Sequence, residues 1–149
     1  MNYYNYDINL TDVPDEISLS FSIAGCPLHC SDCFWKDLQN VQPTPLYLDT
    51  YCELVDRYHG YISCVLFYGG EWNPEELIQM LCYAKNLGLK TCLYTGLMDV
   101  SLEIKQYLDY LKVGPYNAKR GNLSTKTTNQ RMFNLINGED ITSKFWHLQ

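Results

Sequence analysis

The chain has 149 residues, of which 46% are apolar and 14% aromatic, enough for one packed core and too short for two. Eleven Lys and Arg against 17 Asp and Glu leave a net charge of −6, which argues against a phosphate-tracking surface and so against nucleic acid as a partner. The longest apolar runs, such as Val65 to Tyr68, fall far short of the roughly 18 residues that span a bilayer. The start, Met1 to Asp7, has neither the basic stretch nor the apolar stretch of a secretory signal. A single domain over 1–149, no membrane association and a cytoplasmic location are expected.

Ile17, Leu19, Phe21 and Ile23 alternate with Ser18, Ser20 and Ser22, a period of two that predicts a strand running into Ala24-Gly25-Cys26. After an irregular stretch to Pro45, the capping-box spacing of Thr50 and Glu53 predicts a helix that stops at Gly60. Cys64 to Tyr68 reads as a short apolar strand ending in Gly69-Gly70-Glu71. Asn73-Pro74-Glu75-Glu76 then opens a second helix, striped by Leu77, Leu81, Ala84 and Leu87 and closed by Gly88. Leu89 to Tyr94 is a third strand, Ser101 to about Leu111 a third helix, and Lys112-Val113 a fourth strand. Such alternation predicts an α/β fold with a parallel sheet whose functional groups gather at the carboxyl ends of the strands. A complete eight-unit barrel needs about 250 residues, so an incomplete TIM-like barrel, open on one side, is expected.

Seven cysteines are an odd number and too sparse for a disulfide scaffold. Cys52, Cys64, Cys82 and Cys92 are scattered one per predicted element and read as small buried hydrophobes. Cys26, Cys30 and Cys33 instead share one loop with a Cys-x-x-x-Cys-x-x-Cys spacing. A cubane iron-sulfur cluster ordinarily takes four cysteines, so three would leave one iron open to an external ligand. The rival is zinc, closed into a tetrahedral site by the three thiolates and His29. A second local signal is charge: between Tyr110 and Gly138 stand Lys112, Lys119, Arg120, Lys126 and Arg131 with no acidic residue. That stretch is either a solvated loop or a surface for a carboxylate, a phosphate or an acidic partner.

The cysteine loop after the first predicted strand, with Tyr68-Gly69-Gly70-Glu71 after the second, resembles the radical S-adenosylmethionine enzymes. The resemblance implies a [4Fe-4S] cluster held by Cys26, Cys30 and Cys33, with S-adenosylmethionine on its open iron. It also implies that Glu71, beside Gly69 and Gly70, receives the methionyl ammonium. One departure is Asp32, where many members carry an aromatic residue; Phe34 and Trp35 follow the third cysteine instead.

A narrower resemblance, to the activating proteins of anaerobic ribonucleoside-triphosphate reductases, runs along nearly the whole chain. It is carried by Leu93-Tyr94-Thr95-Gly96, Val113-Gly114-Pro115-Tyr116 and Thr128-Asn129-Gln130-Arg131. Glu71 stands where that group usually has aspartate, and Lys126-Thr127-Thr128 where it has Arg-Gly-Ser. This resemblance implies an oxidoreductase that cleaves S-adenosylmethionine and leaves a glycyl radical on the reductase's large subunit, fed by flavodoxin or ferredoxin. Tyr94 and Thr95 would join the cofactor site. Lys119, Arg120, Asn129, Gln130 and Arg131 would form a docking rim for the partner. The alternatives are an activase or maturase for another glycyl-radical enzyme or peptide, and a non-catalytic zinc-binding module.

Overall fold

The computed structural model of the protein describes residues 1–27 and 42–148. Among these, strands β1 (Asn2–Asn9), β2 (Ser18–Ile23) and β3 (Thr44–Pro45) precede helix α1 (Leu48–Tyr58) and strand β4 (Cys64–Tyr68). Helix α2 (Pro74–Asn86), strand β5 (Lys90–Tyr94), helix α3 (Leu102–Lys105) and strand β6 (Tyr110–Val113) follow. The chain then forms β7 (Arg131–Asn134), β8 (Glu139–Asp140) and a closing 3-10 helix (Thr142–Leu148).

The strands form one open sheet of order β3-β1-β2-β4-β5-β6-β7-β8, so the protein is α/β with a mixed sheet. Its centre, β2-β4-β5-β6, is parallel, as the strand-helix alternation predicts. Both flanks are antiparallel. Central parallel strands covered on both faces need continuous apolar runs, and Cys64-Val65-Leu66-Phe67-Tyr68 is buried throughout.

Register sorts the side chains into two faces, because successive residues of a strand point to opposite sides. Phe21, Phe67, Leu93, Leu111 and Phe133 lie across from one another in one row. That row faces α1 and α2 and packs with Tyr51, Val55, Leu77 and Leu81. Phe21 stands 5.3 Å from the Tyr51 ring and 5.5 Å from Phe67, and the Tyr51 hydroxyl donates to Met80 O at 2.7 Å. The neighbouring row, Ser22, Tyr68, Tyr94, Lys112 and Met132, faces away from those helices. On that side Val13, Leu123, Ile141 and Phe145 complete a second core with Leu66, Cys92 and Met132.

Several elements differ from expectation. Helix α1 begins at Leu48, not at Thr50, and its N-cap Tyr47 makes no side-chain cap. The entry is fixed instead by the buried Leu46, whose N–H donates to Met1 O at 2.8 Å, so Thr50 and Glu53 fall inside the helix. Helix α3 is a single turn capped by Ser101 Oγ, and the stretch to Leu111 is strand from Tyr110. There Asp109 N–H already pairs with Thr91 O at 3.0 Å. Strand β1 and the pair β7-β8 were not foreseen from the sequence: their Asn, Asp and Glu give no apolar alternation, and they form because neighbouring strands offer backbone partners. Among the described residues no helix is long and apolar enough to cross a membrane.

Candidate functional site

The four parallel strands end on the same edge of the sheet, the place where open α/β sheets collect ligands. Beyond β2 the chain turns at Gly25, whose φ of +92° lies in the left-handed region, and reaches the half-buried Cys26. Cys30 and Cys33, with His29, Asp32, Phe34 and Trp35, lie outside the described residues. Of the scattered cysteines, Cys64 and Cys92 are wholly buried as expected. Cys52 and Cys82, inside α1 and α2, are only half-buried.

Beyond β4, Gly69 and Gly70 adopt φ of +87° and +111°. Gly69 N–H donates to Tyr94 O at 2.9 Å, and Asn73 N–H returns to Gly70 O at 2.9 Å, which folds a tight turn into α2. The turn presents Glu71. Thr95 Oγ1 donates to Glu71 Oε1 at 2.6 Å, while Glu71 Oε2 is buried without a hydrogen-bond partner among the described residues. Burial raises the Glu71 carboxyl above the ordinary range; the Thr95 hydrogen bond and the charge of Lys112 pull the other way. An open groove of about 460 Å³ lies beside Glu71, walled by Leu97, Val100 and Ile104, with Asp99 and Glu103 on its rim.

Tyr94 and Thr95 divide their roles. Thr95, 2% exposed, holds Glu71 and accepts from Leu97 N–H at 3.1 Å. The Tyr94 hydroxyl points away, donating to Asp12 O at 2.5 Å, so only its ring belongs to this region. That ring meets Tyr68 edge-on at 5.3 Å, and the Tyr68 hydroxyl donates to the Asp12 carboxylate. Lys112, the next residue in the row, is 7% exposed; its ammonium donates to Gly114 O at 2.8 Å and Thr95 O at 3.3 Å, 5.6 Å from the Tyr94 ring centroid.

The Gly114-Pro115 and Asn129-Gln130 segments, separate in sequence, are packed together. A side chain at Gly114 would come within 3.3 Å of Gln130 Cα, and Asn129 Nδ2 donates to Pro115 O at 3.1 Å. Gln130 is buried with its amide 3.5 Å from Gly114 O, so it faces inward, not toward a rim. Lys119 and Arg120 are exposed on the loop closed by Gly121 N–H to Asn117 O, and Arg120 Nε donates to Thr127 O at 3.0 Å. Arg131 is half-exposed, 3.8 Å from the Asp140 carboxylate.

Two residues that the motifs did not single out belong to the site. Lys112 counted in the sequence only as one of five basic residues; its place in an otherwise apolar strand is the signal. Trp72 directly follows Glu71. An added Cβ at Gly69 would lie 2.5 Å from its ring, and one at Gly25 would lie 3.5 Å from its Nε1. Trp72 therefore spans the turn after β4 and the approach to Cys26.

Residues 17–138, from the edge of β2 through β7, match the family model described as a 4Fe-4S single cluster domain. No curated protein and no solved structure matches the chain.

Proposed function

The chain belongs to the family of 4Fe-4S single cluster domains, and from that premise we propose that it is a radical S-adenosylmethionine activase that installs a glycyl radical on an anaerobic ribonucleotide reductase. The observation that carries this reading is the buried Oε2 of Glu71, without a partner among the described residues, beside two glycines on the same sheet edge as Cys26. A desolvated carboxylate oxygen with no donor among the described residues suits a ligand N–H such as that of an amino group, since a charge-assisted hydrogen bond would satisfy it.

The donor set fits both groups. Cys26, with Cys30 and Cys33, would hold the cluster, and three thiolates leave one iron for the amino and carboxylate groups of S-adenosylmethionine. When bound, cluster and S-adenosylmethionine together supply a one-electron cleavage and the hydrogen abstraction that leaves a radical on a backbone glycine of the partner.

The protein's share is binding and orientation. Glu71 receives an N–H of the methionyl amino group, and Thr95 fixes the carboxylate by holding its other oxygen. Gly69 and Gly70 let backbone approach the ligand without a side chain between. Lys112 supplies positive charge behind the site and, through the carbonyls of Thr95 and Gly114, ties the ends of β5 and β6 together. The open sheet, taken as an incomplete barrel, leaves a side through which a segment of a partner protein can enter. Lys119 and Arg120 form the cationic part of the docking surface, with Arg131 offset by the Asp140 carboxylate 3.8 Å away, and flavodoxin or ferredoxin is the expected electron donor.

The test is anaerobic reconstitution, reduction, and mixing with S-adenosylmethionine and the cognate reductase. The expected products are 5′-deoxyadenosine and a glycyl-radical doublet in electron paramagnetic resonance on the reductase. Cleavage without a radical there would redirect the activity to another glycyl-radical enzyme or peptide. A colourless protein with stoichiometric zinc would overturn the reading altogether.

A further inference from the structure

Trp72 buries an indole N–H that has no hydrogen-bond acceptor among the described residues. Buried indole N–H groups almost always find a partner, so an orphan at the edge of a ligand site calls for an acceptor from the ligand. The neighbouring Glu71 Oε2 is not that partner, since it too has no hydrogen-bond partner among the described residues. The direction is set by two glycines. The six-membered ring of Trp72 lies on Gly69, where an added Cβ would meet Cη2 at 2.5 Å and Cζ3 at 3.1 Å. The pyrrole edge reaches Gly25, where an added Cβ would lie 3.5 Å from Nε1. Gly25 is the residue before Cys26, the first cluster cysteine. The indole is thus braced at one end, and its donor edge lies beside the chain that delivers this ligand.

We infer that the Trp72 indole N–H donates a hydrogen bond to a sulfur of the cluster at Cys26, either the cysteine sulfur or an adjacent sulfide. Trp72 is then a positioning residue that also tunes the cluster, because hydrogen bonds to sulfur stabilise the more negative, reduced state and raise the reduction potential. The inference rests on the cluster and not on the identity of the glycyl-radical partner.

The experiment uses the full chain, grown with 15N-indole tryptophan, loaded anaerobically and reduced. Pulsed electron-nuclear resonance should show a 15N coupling and an exchangeable-proton coupling to the cluster. Both should vanish in Trp72→Phe and persist in Trp35→Phe and Trp146→Phe. Redox titration of cluster-loaded Trp72→Phe should give a lower midpoint potential. If Trp72→Phe fails to take up a cluster, the unsubstituted protein and the other two variants still assign the coupling. Absence of coupling in cluster-loaded protein, or its survival in Trp72→Phe, overturns the inference. Either result leaves the activase reading intact, and a failure of radical transfer to the reductase leaves this inference intact.

Discussion

Thr95 Oγ1 and Glu71 Oε1, 2.6 Å apart, join the turn after β4 to the end of β5 and leave the second carboxylate oxygen buried with no hydrogen-bond partner among the described residues. Removing the carboxylate should therefore affect ligand binding more than cluster content. Glu71→Ala is expected to keep the cluster and lose about 1.5 to 3 kcal/mol of S-adenosylmethionine binding, the usual contribution of a charged hydrogen bond. That corresponds to roughly ten- to a hundredfold in dissociation constant by calorimetry. Thr95→Val, which frees the carboxylate without deleting it, should cost about 1 kcal/mol, roughly fivefold.

The same carboxyl gives a pH dependence whose sign follows from its burial. Its folded pKa is raised, so over a window above the ordinary carboxylate range the folded chain keeps a proton that the unfolded chain has released. Stability should decline as pH rises through that window, and Glu71→Gln should flatten the decline in urea titrations at a series of pH values. Ligand affinity should run the other way, falling as pH drops through the raised pKa, because the amino N–H donors need the ionised carboxylate as acceptor.

Gly69 and Gly70 both have positive φ, but only Gly69 is crowded. Gly70→Ala should cost about 1 to 2 kcal/mol for the left-handed backbone alone, since its added methyl would find neighbours no nearer than 3.5 Å. Gly69→Ala carries the same backbone cost and also displaces the Trp72 ring. It should be the more destabilised of the two in chemical denaturation, with a shift in tryptophan fluorescence that Gly70→Ala lacks.

Replacing Cys26, Cys30 or Cys33 by Ala should abolish the visible iron-sulfur absorption, whereas Cys64→Ala and Cys92→Ala should retain it. Burial raises the Cys64 and Cys92 thiols well above their usual range, so neither forms the reactive thiolate at neutral pH. Iodoacetamide on the folded chain should therefore modify Cys82, which is half-buried, well before Cys64 or Cys92, as mass spectrometry of peptides would reveal.

Reversing Lys119 and Arg120 to Glu should weaken radical transfer to the reductase while leaving uncoupled S-adenosylmethionine cleavage unchanged. The defect should shrink as salt is added, because exposed charges act through a screened field. Adding Arg131→Gln should change little more, since Asp140 already lies 3.8 Å from that guanidinium. Equal transfer rates for the double variant and the parent at low salt would remove this loop from the docking surface.

Local chemistry was legible in the amino-acid sequence wherever residue type alone dictates behaviour. Gly-Gly before Glu71 announces a turn of positive φ, and the run Cys64 to Tyr68 announces a buried strand. What the tertiary structure alone decided depends on neighbours distant in the chain. Strand β1 exists because β2 offers it an antiparallel edge, although Asn2 to Asn9 has no apolar alternation. Gln130 turns inward because the bare backbone of Gly114 leaves room for it. Lys112 tolerates burial because the carbonyls of Thr95 and Gly114 receive its ammonium. Trp72 looked like an ordinary residue after a motif; only the convergence of Gly25 and Gly69 on its ring turns it toward Cys26. Periodicity and spacing report how a segment relates to water and to its own next turn, but hydrogen-bond satisfaction and close packing are settled between segments, and those are what orient the site.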